Sequence, residues 1–424
     1  MHVLLISANT EQFNMPAMPL GLACVAEATI SAGHDVTMLD LMFAADVATT
    51  LATVISETRP ECIGISVRNI DDQDIEARTF LLAKVKEVVA VCRDLSSAPI
   101  VLGGAGYSIY PGSVLSYLDA DFGIKGEGEI AFPALLAHLE DKTDPSGTPG
   151  LYSRNHDPHP PPELSSDLDR LQLPEPRILS SSASQSQDPW IPVQTRRGCP
   201  LRCSYCSTPA IEGTLLRKRS PEGVAAWLER WVSAGYENFF FVDNTFNLPP
   251  DYAKSICRNI IARELAMRWR CIIFPKRVDK ELAELMFAAG CRQVSLGFES
   301  GSAKMLKHLN KQFTLADIRM SSTLFGDCGI ERMGFLLLGG PGETKTSVEE
   351  SLAFADSLNL EMLRITVGIR IYPGTQLAAI AEKHGIISSE DDLLQPQFYL
   401  SPDVAKWLPE RLIQWRANRN NVIM

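Results

Sequence analysis

Short apolar runs alternate with helix-period segments in two separate series along this chain, and a Pro/Ser-rich stretch divides the two series. Apolar runs of four to eight residues are too short for buried helices and fit strands covered on both faces, as parallel sheets have. Parallel neighbours need a crossover between them, and the helix-period segments supply it with a right-handed connection. The expected fold class is α/β: a doubly wound sheet first, then a parallel barrel or partial barrel.

In the first series, HVLLIS (2–7), DVTMLDL (35–41), CIGISV (62–67), PIVLGG (99–104) and the start of FGIKGEGE read as strands. Helices are expected at LACVAEATISAG, ending at Gly33, at 47–60, at about 75–94 and at AFPALLAHLE. Ligands of such sheets bind beyond the carboxyl ends of the strands, here the loops Ser7–Asn9, Ser66–Asp71, Gly103–Ser108 and Gly126–Glu129. The first βα turn contains no GxGxxG and the chain no P-loop sequence, which disfavours a dinucleotide or nucleoside triphosphate. The second series places strands at 192–196, 237–243, 269–274, 293–298, 332–338 and 363–371, with helices between them. The expected boundaries are 1–142 for the first domain, 143–190 for the linker, 191–385 for the barrel and 386–424 for a capping segment with the helix WLPERLIQWRANR. His156 and His159 read as solvated linker residues.

A formal net charge of −11 leaves no broad basic face for a nucleic-acid backbone. The apolar run in MHVLLISANT is too short for a signal peptide, and no segment approaches the ~18–20 apolar residues of a membrane span. A cytoplasmic protein is expected, and in that reducing setting the ten cysteines are not a disulfide framework. Cys24, Cys62, Cys92, Cys257, Cys271, Cys291 and Cys328 read as small buried hydrophobes.

The other three stand close together, in Arg197-Gly198-Cys199-Pro200-Leu201-Arg202-Cys203-Ser204-Tyr205-Cys206. Thiolates spaced Cys-x3-Cys-x2-Cys in a loop can each hold a different iron of one [4Fe–4S] cube, leaving the fourth iron open to another ligand. Structural zinc would want a fourth protein ligand, and none lies nearby in sequence. A redox pair at 203–206 would leave Cys199 unexplained.

RRGCPLRCSYCSTP resembles the cluster loop of the radical S-adenosylmethionine (radical SAM) enzymes. FVDNTFN (241–247), SLGFESGS (295–302), FLLLGGPGET (335–344) and IYPGT (371–375) are similar to that family's successive strand-end motifs. PLGLACVAEATISAGHDVTMLDL, ISVRNID, VLGGAGYS and GIKGEGE resemble the cobalamin-binding domain of one large branch. The resemblance implies a Rossmann-like cobalamin-binding domain followed by a partial (β/α)6 radical SAM barrel. It implies a cluster on Cys199, Cys203 and Cys206 whose open iron takes S-adenosylmethionine. For S-adenosylmethionine it assigns Tyr205 and, with them, Asp243, Asn244, Glu299, Gly339, Gly340, Gly342, Ile371 and Tyr372. For cobalamin it assigns Asn9, Ser66, Arg68, Asn69, Gly103, Gly104, Ser108, Gly126 and Glu127. Two departures stand out: the family's Gly-Gly-Glu form is missing at Asp243-Asn244, and Asp-x-His-x-x-Gly, the source of a lower histidine ligand to cobalt, is absent. His34 sits at a helix-to-strand turn and reads as structural. Arg68 under a corrin could not ligate cobalt, having no free lone pair, and would disfavour a lower water. Its structural alternative is a salt bridge to Asp71 or Asp72.

The implied activity is methylation of an unactivated carbon of a small molecule through methylcobalamin and a 5′-deoxyadenosyl radical, with flavodoxin or ferredoxin as electron donor. Cyclisation, rearrangement or transfer of another group with cobalamin in a different role is the alternative among enzymes. A non-catalytic corrinoid or iron–sulfur sensor is the alternative outside them. The segment Gln395–Ser401 and the linker are the candidates for contacting substrate.

Overall fold

The computed structural model describes residues 1–11, 18–154, 159–184 and 188–424, and the chain divides into two compact units. The first comprises Met1–Asp72, Thr79–Trp190 and Thr208–Lys218. The second comprises Gln73–Arg78, Ile191–Ser207 and Arg219–Met424.

In the first unit, strands β1 (His2–Ser7), β2 (Asp35–Asp40), β3 (Cys62–Ser66), β4 (Ile100–Gly103), β5 (Phe122–Ile124) and β6 (Leu151–Ser153) form one sheet. Their order is β2-β1-β3-β4-β5-β6, parallel except for β6. Helices α1 (Leu20–Ser31), α2 (Val47–Thr58), α3 (Leu82–Leu95), α4 (Ala105–Ile109), α5 (Pro111–Leu118) and α6 (Gly128–Asp141) supply the crossovers. The apolar runs read as strands are buried as expected: Val3, Leu5, Cys62 and Val101 pack with Leu22 and Ala26 of α1 and Phe132 and Leu135 of α6. Asp46 caps α2 by accepting from the Thr49 amide at 2.6 Å. The order reverses between β1 and β3, the topological switch point where such sheets take ligands.

Two expectations are corrected here. The helix expected from residue 75 starts only at Leu82. The Asp74 carboxylate instead closes a turn by accepting from the amides of Glu76 (2.7 Å) and Ala77 (3.3 Å), and Gln73 and Arg78 take left-handed φ. The segment 143–190 is more structured than a bare linker: it adds edge strand β6, a 3-10 turn at Leu168–Arg170 and the helix Pro176–Ser184. Its buried Leu151, Leu168, Leu171, Leu173 and Leu179 are spaced too irregularly to show as a pattern. His159 stacks on Tyr152 at 3.9 Å rather than standing in solvent, and His156 lies outside the described residues.

The second unit holds a seven-stranded sheet. From one edge its strands are Trp190–Val193, Asn238–Phe241, Arg268–Ile273, Cys291–Glu299, Glu331–Leu338, Met362–Val367 and Val422–Ile423. The strands run in chain order, neighbours from Asn238–Phe241 to Val422–Ile423 are parallel, and the two edge strands are not neighbours, so this is an open, partial barrel. Six of these strands are the expected ones. The seventh comes from the tail, which is therefore part of the sheet as well as carrying the expected helix, Leu408–Arg416. Phe241, Phe246 and Trp269 pack edge-on with ring centroids 4.8–5.1 Å apart at the heart of this unit. The Trp269 indole donates to the Ala289 carbonyl at 2.7 Å.

Candidate active site

The three cysteines follow the first barrel strand on a loop pinned from several directions. Gly198, at φ +84°, turns the chain into it, a conformation that favours glycine. The Ser204 amide donates to the Leu309 carbonyl (3.1 Å), and the Ser204 carbonyl accepts from the Leu377 amide (2.8 Å). The Asn310 side-chain amide donates to the Arg202 carbonyl. Cys199 is buried, whereas Cys203 and Cys206 are half-buried. Among the described residues no three His, Cys, Asp or Glu side chains are gathered to hold a single metal ion, the arrangement structural zinc requires. A loop carrying three spread thiolates and no fourth donor fits a cluster held at three of its irons.

Beside the loop lies Lys311, which the sequence reading did not single out. Its side chain is 7% exposed, and its ammonium donates to the Tyr205 hydroxyl (2.9 Å) and to Glu299 Oε1 (3.2 Å). Burial works against the charge, but Glu299, Tyr205 and Cys203 outweigh it and hold the ammonium above its usual pKa. Burial pushes the Cys203 thiol up, and the Lys311 ammonium offsets part of that.

In the first unit, Ala8–Glu11 after β1, Ser66 at the end of β3, and Arg68 and Asn69 beyond it line a narrow crevice with Leu81, Lys84 and Val85. Lys84 pairs with Glu11 at 2.5 Å across it. Arg68 makes no hydrogen bond or ion pair to any described residue, so the alternative pairing with Asp71 or Asp72 does not form. Its residue surface is exposed, yet enough protein surrounds the guanidinium for burial to lower its pKa.

The family model for the Radical SAM superfamily matches residues 193–355, and that for the B12 binding domain matches residues 6–136. This chain belongs to the radical SAM enzymes with a B12-binding domain. The uncharacterised methyltransferase PH0819 of Pyrococcus horikoshii is 25% identical over 94% of this chain and 87% of its own length. Tryptophan 2-C-methyltransferase of Streptomyces laurentii is 25% identical over 88% of this chain and 74% of its own. The structure of the radical SAM methyltransferase TsrM from Kitasatospora setae, with cobalamin and a [4Fe–4S] cluster bound, shares the fold. It superposes with a TM-score of 0.86 at 24% identity, over 100% of this chain and 92% of that one.

Several residues that the radical SAM resemblance assigned to ligands are occupied by the protein itself. Asp243 is 1% exposed; one carboxylate oxygen accepts from the amides of Thr195 (2.8 Å) and Arg196 (3.2 Å), the other from the Thr195 hydroxyl (2.6 Å). It anchors the backbone just ahead of the cluster loop. Ile371 is fully buried, its amide bonded to the Gln397 carbonyl, and is core rather than pocket wall. In the B12-binding unit, the buried Ser108 hydroxyl donates to the Gly104 carbonyl (2.9 Å) and accepts from the Gly126 amide (3.0 Å). Glu127 is likewise buried, accepting from the Ser165 amide (2.9 Å) and pairing with Arg217. Each of these four has partners within the protein, most of them well separated in sequence.

The glycines divide. A Cβ at Gly104 would meet the Val67 carbonyl oxygen at 2.7 Å, and one at Gly342 would meet His308 at 2.6 Å, so internal packing already demands glycine at both. Gly339 is closed off by Leu400, Gly340 has Ile369 at 3.0 Å and Gly126 has Pro162 at 3.2 Å. At Gly103 the nearest atom is 3.9 Å away, which leaves room above its Cα. Tyr205, Asn244 and Tyr372 are half-buried, and Asn9, Ser66 and Asn69 line the crevice. Glu299 holds φ +63° at its strand end, a costly conformation for a residue with a side chain. In Gln395–Ser401, Phe398, Tyr399 and Ser401 are buried in the protein. Besides Lys311, the sequence reading passed over Glu343, fully buried and accepting from the Gly339 amide at 3.4 Å; burial raises its carboxyl.

Proposed function

We propose that this protein is a cobalamin-dependent radical SAM methyltransferase that places a methyl group on an unactivated carbon of a small molecule. The observation that carries the reading is the pairing, in one chain, of a three-cysteine loop without a fourth donor and a B12-binding domain. Relatives named as methyltransferases match along 88–94% of the chain, which supports methylation over other radical outcomes. When bound, the cluster with S-adenosylmethionine supplies a carbon radical, and cobalamin carries the methyl group.

Cys199, Cys203 and Cys206 hold the cluster in this reading. Tyr205, Asn244, Glu299, Tyr372 and the Gly339–Gly342 turn are the candidates for contacting S-adenosylmethionine. Asn9, Ser66, Arg68, Asn69 and the Gly103–Gly104 and Gly126 turns are those for cobalamin. Arg68 would meet cobalamin as a cation, having no lone pair to offer a metal. A flavodoxin or ferredoxin supplies the electron, and no nucleic-acid partner is required. No helix among the described residues is long and apolar enough to cross a membrane. None of the ten cysteines is in a disulfide, which supports a reducing cytoplasmic setting.

The test uses anaerobically purified protein with S-adenosylmethionine labelled in its methyl group, a reductant and a panel of small molecules headed by tryptophan. Iron and cobalt content, 5′-deoxyadenosine and label in product are read together, with Cys203→Ala as control. Label appearing on carbon, dependent on cobalt and on Cys203, is the expected result. Cluster-dependent 5′-deoxyadenosine with no cobalt retained after reconstitution would sink the cobalamin-dependent reading. Absence of 5′-deoxyadenosine across the panel favours the sensor.

A further inference from the structure

We propose that the outer face formed by the cluster loop and the helix Ala303–His308 is where an acidic one-electron donor protein docks to reduce the cluster. The inference rests on the cluster reading above and gives the electron its point of entry.

The loop and the helix are joined at two points. The Ser204 amide donates to the Leu309 carbonyl at 3.1 Å, and the Asn310 side chain donates to the Arg202 carbonyl. Met305 and Leu306 bury the inner side of the helix, which leaves Lys304 and Lys307, three residues apart, pointing outward together. Arg202, Lys304 and Lys307 are all exposed, and none meets a carboxylate among the described residues. The sequence supplies nothing to cancel them, since 198–211 and 300–316 contain no Asp or Glu. Glu299, which borders the second segment, is only 16% exposed and already binds the Lys311 ammonium at 3.2 Å.

Cations elsewhere in this unit are matched: Arg411 with Glu349 at 2.5 Å, Arg419 with Asp356 at 2.7 Å, and Lys254 with Asp279 and Glu281 at 2.7 Å each. Two like charges one helical turn apart repel slightly, so Lys304 and Lys307 add nothing to the stability of their helix. In a chain of net charge −11, most of the surface repels an acidic protein, and a local group of cations steers it to one place. That place adjoins the cluster, because Arg202 precedes Cys203, and Cys203 and Cys206 are only half-buried. The donor gives up one electron, the oxidised cluster takes it, and no bond forms or breaks. The plainer reading is a solvated face that meets only water. The two readings differ in how salt affects electron delivery by a protein donor.

The experiment mixes reduced flavodoxin of strongly negative net charge with cluster-loaded, full-length protein and S-adenosylmethionine in an anaerobic stopped-flow instrument, following oxidation of the donor flavin. Wild type is compared with Lys304→Glu/Lys307→Glu, Lys304→Gln/Lys307→Gln, Lys304→Arg/Lys307→Arg and Arg202→Gln. Photoreduced deazaflavin, a small reductant that needs no docking face, runs in parallel. As salt rises from about 0.01 to about 0.3 M, wild-type reduction by flavodoxin should slow at least about tenfold. At low salt the Glu pair should be about tenfold slower than wild type, with the Gln pair and Arg202→Gln between them and the Arg pair unchanged. High salt should erase these differences, and deazaflavin should reduce every variant alike. The Gln pair keeps the test available if the Glu pair loses its cluster. Wild-type rates in both the Glu and Gln pairs would overturn the proposal. So would slowing that salt does not erase or that deazaflavin shares, since either would mean a damaged loop. Wild-type protein with no cluster by iron and sulfide content would instead overturn the functional reading on which the proposal stands.

Discussion

Removing the side chain of Asp243 should loosen the cluster loop and the barrel together, and the geometry says which part of the carboxylate matters. One of its oxygens accepts from the amides of Thr195 and Arg196, at 2.8 and 3.2 Å, in a site closed to water. Its charge is the weaker part: burial raises the carboxyl pKa despite the Arg196 guanidinium 3.7 Å away. Asp243→Ala leaves two buried N–H groups without an acceptor, at about 1–3 kcal/mol each. At about 2–4 °C per kcal/mol for a unit of this size, that is a fall of roughly 4–24 °C in Tm. Asp243→Asn keeps an amide oxygen where both N–H groups point and removes a charge that burial already opposes. It should lose less than half as much. Tryptophan fluorescence is the assay, since Trp227, Trp231, Trp269, Trp407 and Trp415 all lie in the second unit and only Trp190 lies in the first. Iron content after reconstitution should fall in the same order. An Asp243→Asn variant as damaged as Asp243→Ala would show that pairing with Arg196 is what counts. A drop below about 2 °C in Asp243→Ala would refute the anchor altogether.

Arg68→His offers cobalt an imidazole lone pair where arginine has none, so the visible spectrum of bound cobalamin should change; an unaltered spectrum would place Arg68 away from the metal. Cluster-free protein treated with a thiol reagent at pH 8 should label Cys203, Cys206 and Cys328 before the six buried cysteines outside the loop, as read by peptide mass. Burial pushes Cys62 and Cys92 up from 9.0 to about 12. A raised acid is protonated in the folded state after it ionises in the unfolded one, so its contribution to stability is complete below pH 9 and lost between about 9 and 12. Denaturant midpoints measured across that range should fall, and a flat profile would contradict the burial of these thiols. Arg217→Met strands the buried Glu127 carboxylate and should destabilise the first unit by about 3–5 kcal/mol, with Arg217→Met/Glu127→Gln recovering much of it in denaturant melts.

Local pattern was enough for much of this protein. The apolar runs 2–7, 35–41, 62–67 and 99–104 became strands because a sheet covered on both faces leaves no polar alternation to confuse the reading. The cysteine loop was equally legible, since three thiolates within a few residues can wrap one cluster and that spacing is written along the chain. What the sequence could not determine was the use of residues whose chemistry suits two roles. Asp243, Ser108 and Glu127 have side chains able to bind a cofactor or to tie loops together. Thr195, Gly126, Ser165 and Arg217, brought to them by the fold, engage them in the second. Lys311 was not legible at all. It lies more than a hundred residues beyond Cys206 in an unremarked turn, and only the folded chain sets its charge beside the cluster loop. The two-residue strand Val422–Ile423 is too short to have a period at all; it exists because the sheet edge at Met362–Val367 offers it partners. Periodicity and spacing are properties of neighbours along the chain, whereas the pairing of a buried polar group is settled by whatever the fold places within hydrogen-bonding distance.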